Sequence, residues 1–413
     1  MRSGGDTGAG QPVPRRHGIT RLADVTGLDV IGIPVVQCVR PNSRSVSVSQ
    51  GKGVDIASAA TSAIMESIES YHAERVELPL IYGSWAELRH RHRLVNVQRL
   101  PRPSASQFHA HAPLLWVPGR NLLDGEVTLV PFDTVNGDYR LPYPSGAGSF
   151  VMSSNGLASG NHPDEAIAHA LCELIERDAL SLAAVDGVRR VVRPESVSDP
   201  NCLWLLERFA AVDVTVRILE VTSDLGIPAF DVTISDPGES RFVPGYAAGG
   251  AGCHPDPAVA LCRALTEAAQ SRLTVICGSR DDISPDDYSQ WSSRPSRPQI
   301  EANVHGDVSE VRVAFSDLAD CSANSLELDV GRIVERLAAN DMDEAIVVDL
   351  SRREFKIPVV KVIVPGLECA GSLEDTTFGR RARLHSSATE RRRDSMDADL
   401  RTDSLPADSV SAA

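Results

Sequence analysis

The chain has 413 residues, 42% of them hydrophobic, which is enough to bury a large core. Its formal net charge of −15 excludes nucleic-acid binders that rely on a broad basic surface. The eight cysteines form no CxxC pair, which is typical of reduced thiols in the cytoplasm. The sequence has no signal-peptide core and no apolar run long enough to span a membrane. We therefore expect a cytoplasmic protein, with no nucleic acid and no membrane among its partners.

In chain order, the composition predicts three regions. Residues 1–16 are rich in Gly, Pro and Arg and are expected to be disordered. Residues 17–371 alternate short β-rich runs, such as "DVIGIPVVQCV" and "PVVKVIVPG", with helical patterns, which predicts an α/β or α+β domain. Residues 372–413 are polar and charged and are expected to form a disordered tail.

A related pattern opens three predicted helices. The segments are "GKGVDIASA" at 51–59, "GNHPDEA" at 160–166 and "GCHPDPA" at 252–258. Each combines Gly, Asp and Ala residues ahead of a long alanine-rich run. Pro163 and Pro255 are placed as expected for the first turn of a helix. We therefore predict three helices that begin in a similar way.

At about 100° per residue, each of these helices carries a narrow polar stripe on an otherwise apolar body. The stripes consist of Ser58, Ser62, Glu66, Glu69 and Ser70 in the first helix, Glu165, His169, Glu173, Glu176 and Arg177 in the second, and Arg263, Glu267, Gln270 and Ser271 in the third. One interpretation is three amphipathic surface helices with solvated stripes. The stripes contain no Lys, unlike most solvated faces, and this favours a shared site.

The residue types in these stripes indicate which ligand such a site would take. Gly-rich turns at helix N-termini offer backbone N–H groups to anions such as phosphates. Clustered carboxylates suit a hard divalent cation, and Mg²⁺ is usually held by few carboxylates together with phosphate oxygens. The sequence contains no GxxxxGK[ST] motif. The pattern therefore predicts a Mg–nucleotide site that is assembled from three distant segments and is not a P-loop.

Three blocks of the sequence resemble the signature blocks of YcaO-domain proteins. They are "SQGKGVDIASAATSAIMESIESYHAE", "SSNGLASGNHPDEAIAHALCELIERDA" and "ALTEAAQSRL", and the resemblance runs from about residue 17 to 368. It implies the ATP-binding fold of that family, with mixed sheets and with helices that carry an acidic Mg–ATP site. Members use ATP to phosphorylate a peptide backbone amide oxygen, and a nucleophile then gives azolines, thioamides or amidines.

The resemblance also implies roles for individual residues. The expected Mg²⁺ ligands are Glu66, Glu69, Glu173 and Glu176. The remainder of the nucleotide and metal site would be Asn161, Glu165, Arg177, Arg263 and Glu267, with Lys52 and Ser62 as phosphate or ribose contacts. For Gln270 and Arg272 a structural role and a site role both remain open, and no catalytic residue is assigned. Ser70 stands where many relatives have Arg.

The segment "HGITRLADVTGLDVIGIPVVQCVRPNSRSVSVSQGKG" resembles the YcaO subgroup whose partner is a TfuA-type protein. That subgroup is associated with thioamide formation, whereas azoline-forming members often end in a Pro-x-Pro-x-Pro tail that this sequence lacks. We therefore expect a thioamide-forming enzyme with a peptide or protein substrate, a TfuA-like partner and, as an open point, homodimer formation. The alternatives are an azoline-forming cyclodehydratase and a catalytically silent scaffold that binds a leader peptide.

Other candidate ligands and nucleophiles have simpler interpretations. His162 and His254 share an HPD context, and histidines at helix starts more often cap the helix than bind a metal. Cys253 and Cys369 have no base at local spacing, which favours buried thiols over nucleophiles.

Overall fold

The computed structural model describes residues 15–144, 146–235, 247–286, 288, 309–369 and 378–386. The strands are β1 (Arg21–Asp24), β2 (Val35–Val39), β3 (Val48–Lys52), β4 (Ile81–Ser84), β5 (Pro113–Asn121), β6 (Val127–Pro131), β7 (Leu157–Ser159), β8 (Val188–Val192), β9 (Thr215–Glu220), β10 (Ala229–Ser235), β11 (Ala247–Cys253), β12 (Ser309–Val313), β13 (Ile346–Asp349) and β14 (Val359–Ile363). The helices are α1 (Ile56–Ala73), α2 (Trp85–Leu88), α3 (Pro163–Ala183), α4 (Pro200–Ala210), α5 (Pro257–Cys277) and α6 (Leu326–Ala339).

The strands form three separate sheets. A three-stranded sheet has the order β1-β2-β3, and a five-stranded sheet has the order β11-β10-β9-β8-β12. The third sheet has six strands, with the order β4-β5-β13-β14-β7 and with β6 also paired to β5. Among the strands of the described residues, all pairings are antiparallel except the parallel pair β8–β12. The mixed α/β class expected from the sequence is confirmed.

Helix α3 lies between the two larger sheets, which explains why it is apolar nearly all round. On one side, Leu171 and Ile175 belong to the same buried cluster as Val360 and Val362 of β14. On the other side, that cluster continues to Cys253 at the end of β11 and to α6. A second core lies between the five-stranded sheet and helices α4 and α5. A third core is formed by buried residues of the six-stranded sheet together with Ile68 and Ala73 of α1.

The three related helices begin with similar strand–turn–helix connections. Asp55, His162 and Asp256 are the N-cap residues of α1, α3 and α5, and each accepts a hydrogen bond from a backbone N–H of the first turn. Pro163 is the first residue of α3, as expected. Pro255 precedes the N-cap of α5, and Pro257 takes the first-turn position instead, so that part of the expectation is wrong.

Two glycines of the repeated motif allow a strand to lie directly on its following helix. A Cβ atom built on Gly51 would lie 2.1 Å from the carbonyl oxygen of Ala59 in α1. A Cβ on Gly252 would likewise lie 2.1 Å from the carbonyl oxygen of Ala260 in α5. These distances are too short for any side chain, so these glycines are required by helix–strand packing.

A short segment near the C-terminus packs on the domain instead of belonging to a disordered tail. Residues 380–386 are helical, and Ala382 within them is fully buried. The Arg381 guanidinium donates to both carboxylate oxygens of Asp178 in α3, at 2.9 and 3.0 Å. For residues 378–386 the expected disorder is therefore wrong, because a buried carboxylate on α3 supplies an ionic partner that composition cannot indicate. Residues 1–14, 370–377 and 387–413 lie outside the described part of the chain.

Within the described part of the chain, we find no helix with the length and apolarity needed to cross a membrane.

Candidate functional site

The three striped helices are brought together by a cyclic packing arrangement. Each helix packs on the strand that precedes it in sequence: α1 on β3, α3 on β7 and α5 on β11. Each helix also contacts the strand that precedes one of the other two helices. Helix α1 contacts β7, which leads into α3; α3 contacts β11, which leads into α5; and α5 contacts β3, which leads into α1. The polar stripes are therefore turned towards a shared interior instead of towards solvent, and the interpretation as three solvated surface helices is wrong.

Hydrogen bonds and ion pairs connect the stripes in the same order. The Glu69 carboxylate on α1 accepts hydrogen bonds from the backbone N–H of Ser159 at 2.8 Å and from its hydroxyl at 2.5 Å. Ser159 is the last residue of β7, directly before the turn into α3. Lys52, at the end of β3, forms an ion pair with Glu267 on α5. Both contacts join residues that are far apart in sequence.

Helix α3 supplies a compact group of charged residues. Arg177 lies 3.9 Å from the Glu173 carboxylate and 3.6 Å from that of Glu176. Glu173 also accepts a hydrogen bond from the backbone N–H of Gly156 at 2.9 Å. The Nε atom of Arg177 is buried and has no hydrogen-bond partner among the described residues. A buried guanidinium donor without an acceptor is the arrangement expected of a group that binds an anion.

Burial changes the protonation of the glutamates. It raises the pKa of Glu66 to about 7 and, assisted by the charges of Glu66 and Glu173, that of Glu69 to about 8. Burial followed by the charge of Glu267 raises the pKa of Glu176 to about 7. Although burial also opposes ionisation of Glu267, Lys52 and then Arg177 hold its pKa below the usual value. The site therefore holds the Glu267 carboxylate ionised, with Glu66, Glu69 and Glu176 poised to lose protons when a cation enters.

Arg263 and His169 form a further contact between α5 and α3. The Arg263 guanidinium donates to the Nε2 atom of His169. The guanidinium charge, followed by burial, lowers the pKa of His169 to about 3. The imidazole is therefore neutral and acts as an acceptor that orients Arg263. His169 belongs to the polar stripe of α3, but no role for it was predicted from the sequence.

The remaining predicted residues lie at the edge of this group or outside it. Glu165 accepts hydrogen bonds from the backbone and side chain of Asn161 at 2.8 and 3.1 Å, so the two hold each other at the start of α3. Ser62 lies one turn before Glu66 on α1 and is half-buried. His162 accepts the backbone N–H of Asp164 at 3.3 Å and caps α3, whereas His254 accepts the N–H of the N-cap residue Asp256 at 3.0 Å, so both histidines have hydrogen-bonding roles at helix starts.

Gln270, Arg272 and Ser70 make structural contacts. Gln270 donates to the backbone carbonyl of Gln50 at 2.7 Å, and Arg272 pairs with Asp29 at 3.0 Å. Ser70 donates to the carbonyl oxygen of Glu66 in its own helix at 3.0 Å. These contacts favour the structural alternative for Gln270 and Arg272.

Two cations near the glutamates were not predicted from the sequence. Lys361 on β14 is buried and donates to the carbonyl oxygen of Ser153 at 2.5 Å; its burial lowers its pKa to about 8, against the charge of Glu173. Arg280, just after α5, pairs with Asp282 at 2.9 Å and is close enough to Glu66 to lower the pKa of that carboxyl. A lone lysine inside the apolar run "PVVKVIVPG" was the signal for Lys361.

The donor set fits a magnesium–nucleotide ligand. Among the described residues, no three His, Cys, Asp or Glu side chains already converge as a metal-ligand group. Mg²⁺ does not require such a group, because it usually combines one or two carboxylates with phosphate oxygens and water. Carboxylates kept partly protonated by burial, beside the free Nε donor of Arg177, match a ligand that brings both a cation and phosphates.

A fold in which three acid-bearing helices surround a shared, half-buried site defines a class of nucleotide-binding protein without a P-loop. The family model described as YcaO cyclodehydratase, ATP- and Mg²⁺-binding, matches residues 50–368. The chain belongs to the YcaO family, with ATP and Mg²⁺ as ligands. The family resemblance stated from the sequence is confirmed.

Two relatives match nearly the whole chain. An "uncharacterized protein in tfuA 3′ region" of Rhizobium leguminosarum bv. trifolii is 37% identical over 382 residues, which are 90% of this chain and 89% of that protein. A protein of Methanothermobacter thermautotrophicus is 34% identical, over 89% of this chain and 94% of its own length.

Solved structures show the same fold. YcaO from Methanopyrus kandleri, bound with AMPPCP and Mg²⁺, has a TM-score of 0.68 at 23% identity and covers 89% of this chain and 92% of its own. A heterocyclase in complex with substrate and cofactor has a TM-score of 0.70 at 23% identity and covers 85% of this chain. This chain spans only 50% of that heterocyclase.

Proposed function

We propose that this protein uses ATP to phosphorylate a backbone amide oxygen of a peptide and that, with a TfuA-like partner, it converts that amide into a thioamide. The observation that carries the proposal is the convergence of carboxylates and guanidinium groups from α1, α3 and α5 within a YcaO fold. The relative from the tfuA region supports the choice of partner and product. The cytoplasm is the proposed location, in agreement with eight free cysteines.

The proposed site divides into metal ligands and nucleotide contacts. We assign Glu66, Glu69, Glu173 and Glu176 to Mg²⁺, and Lys52, Ser62, Asn161, Glu165, Arg177, Arg263 and Glu267 to the nucleotide and its surroundings. Bound Mg²⁺ neutralises charge on the phosphates and on the departing ADP. Arg177 offers a free Nε donor to a phosphate oxygen, and His169 holds the Arg263 guanidinium in a fixed direction.

The reaction follows from the poor reactivity of an amide carbonyl, which resonance stabilises. The amide oxygen forms a bond to the γ-phosphorus of ATP while the bond from that phosphorus to the β–γ bridging oxygen breaks, and ADP leaves. A sulfide sulfur then adds to the activated carbon, and the former amide oxygen leaves as phosphate. The protein contributes mainly by positioning the two substrates and stabilising charge.

A different nucleophile would give the second candidate product. If the side chain of a neighbouring Cys, Ser or Thr adds to the activated carbon, the product is an azoline. This alternative is supported by the similarity to the heterocyclase TruD, which has a TM-score of 0.62 at 26% identity. A catalytically silent scaffold is the third candidate, and it predicts peptide binding without metal-dependent ATP binding.

Isotope labelling with mass spectrometry tests the proposal. The purified protein would be incubated with its peptide, a TfuA-like partner, sulfide and Mg–ATP, with oxygen-18 in the peptide carbonyls. A thioamide exchanges one oxygen for one sulfur, whereas an azoline loses one water. We expect the exchange, together with labelled phosphate. Loss of water with labelled phosphate would retain the ATP mechanism and reject the thioamide, and unlabelled phosphate would reject both.

A further inference from the structure

A fixed, exposed turn presents a run of basic residues. Residues 89–93 read RHRHR in a chain whose formal net charge is −15. The turn follows α2 directly, and the backbone N–H groups of Arg91 and His92 both donate to the carbonyl oxygen of Leu88 at 2.9 Å. All five side chains are exposed. The cationic groups are therefore held outward by a defined backbone.

This turn forms one wall of a surface groove of about 320 Å³. Its lining includes Trp85, Arg89 and Arg93 and the apolar residues Leu94, Val95 and Val97. The Arg89 guanidinium lies 4.7 Å from the centre of the Trp85 ring, so the aromatic face holds the charge over the groove. The groove thus combines an apolar interior with a cationic edge.

The charges around the groove define its ligand. Arg93 pairs with Asp124 at 2.6 Å, but Arg89 and Arg91 have no acidic partner among the described residues. Clustered guanidinium groups repel one another, and an anionic ligand relieves that repulsion. Asp343 and Glu344 contact Arg99 and Asn96 at the far side and end the positive surface. So small a basic area fits a short acidic segment better than a nucleic-acid backbone.

The groove is remote from the ATP site. Trp85 directly follows β4, whereas Ser159 in the ATP site ends β7. Strands β4 and β7 stand at opposite ends of the order β4-β5-β13-β14-β7, four spacings apart. At roughly 4.8 Å per spacing this is about 19 Å, which an extended peptide covers with about six residues. A ligand in the groove would be separate from the reacting amide but within reach of it.

We propose that this groove binds an acidic segment of the peptide substrate, outside the residue that is modified. The proposal rests on the function proposed above. A linear segment suits the groove because the run of basic residues is confined to the turn at 89–93, whereas a folded partner would need about 800 Å² of contact surface. Binding here would hold the substrate chain while its amide is placed in the ATP site.

Fluorescence anisotropy with a labelled hexaglutamate peptide tests the groove directly. The variant is Arg89→Glu/Arg91→Glu, and the matched control is Arg208→Glu/Arg353→Glu, which changes the net charge equally at exposed sites elsewhere. Arg208 lies 5.0 Å from the Trp204 ring and so reproduces the Arg89–Trp85 pair. We expect hexaglutamate to bind the wild-type protein, with affinity lowered roughly tenfold or more in the variant and unchanged in the control.

A second readout connects the groove to the substrate. With the cognate peptide, the variant should raise KM and leave kcat unchanged, because the groove contributes binding and not chemistry. Equal weakening in the control, equal binding of hexaglutamine, or tighter binding of an oligothymidylate of the same charge would each overturn the proposal. If the wild-type protein binds Mg–ATP but not hexaglutamate, only the groove proposal fails. If it binds hexaglutamate but not Mg–ATP, the proposed function fails, and the assignment to a substrate fails with it.

Discussion

The ammonium group of Lys52 forms an ion pair with the carboxylate of Glu267, although 215 positions separate the two residues in sequence. Lys52 ends the strand that leads into α1, and Glu267 lies in the middle of α5. Their side chains are 22% and 26% exposed, so the pair is shielded from water but still reachable by a ligand. It is both a link between two helices and a charged part of the candidate ATP site.

Removing one member of this pair should be more harmful to stability than removing both. Lys52→Met leaves the Glu267 carboxylate half-buried without its cation, so we expect a lower melting temperature for this variant. Lys52→Met/Glu267→Gln should recover most of that loss, because no unpaired charge remains. Both variants should bind Mg–ATP more weakly than the wild-type protein. Thermal unfolding and calorimetry measure the two effects separately, and a double variant that binds nucleotide normally would remove both residues from the site.

Glu173→Gln tests the carboxylate group on α3. The substitution keeps the shape of the side chain but removes a charge expected to hold Mg²⁺, so we expect Mg–ATP affinity to fall by roughly tenfold or more. Calorimetry with and without Mg²⁺ would show the loss. Glu207→Gln, on the exposed face of α4, is the matched control and should bind as the wild-type protein does. Unchanged affinity in Glu173→Gln would contradict the assignment.

The buried glutamates should make the metal-free protein less stable as the pH rises above neutrality. Burial raises the pKa of Glu69 to about 8 and that of Glu66 to about 7, from 4.5 in the unfolded chain. Between the unfolded pKa of 4.5 and the folded pKa of each glutamate, the folded state binds more protons than the unfolded state. The free energy of unfolding therefore falls as the pH rises through this range. The lowered pKa of His169, about 3, acts in the opposite sense only below about pH 6.5.

Melting temperatures measured with a chelator at about pH 7 and 8 should therefore decrease, and Glu69→Gln should flatten the decrease. Because bound Mg²⁺ needs ionised ligands, Mg–ATP should bind more tightly over the same pH increase and release protons. Calorimetry in buffers of different ionisation enthalpy measures that release. Proton uptake on binding would show that the glutamates are not the groups that meet the cation.

The segment 378–386 should contribute measurably to stability. Arg381 is the ionic partner of Asp178, which is fully buried, and the Glu368 carboxylate accepts the backbone N–H groups of Gly379 and Ala382 at 2.6 and 3.0 Å. We expect Arg381→Ala to cost about 3 kcal/mol in the free energy of unfolding. Asp178→Asn in the same chain should recover part of this loss, and ending the chain after residue 386 should cost little. A truncation before residue 378 without loss of stability would show that the contact is unimportant.

Local sequence patterns predicted the helices that carry the site. They did not predict the tertiary contacts between these helices. The motifs around Asp55, His162 and Asp256 correctly indicated three similar helix starts, because capping depends on neighbouring residues. The contacts of Glu69 with Ser159 and of Arg263 with His169 could not be predicted, because they depend on cyclic packing between segments far apart in sequence. Lys361 was not predicted for the same reason, because its strand β14 pairs with β7, which lies about 200 positions earlier in the chain.

The cyclic packing of α1 on β7, α3 on β11 and α5 on β3 has a consequence for synthesis on the ribosome. No N-terminal fragment that ends before α5 contains the partner of Lys52, and none that ends before β14 contains Lys361. The nucleotide site can therefore close only when most of the domain has emerged. A nascent chain should gain ATP affinity late and in one step, so nucleotide binding would mark the completion of folding.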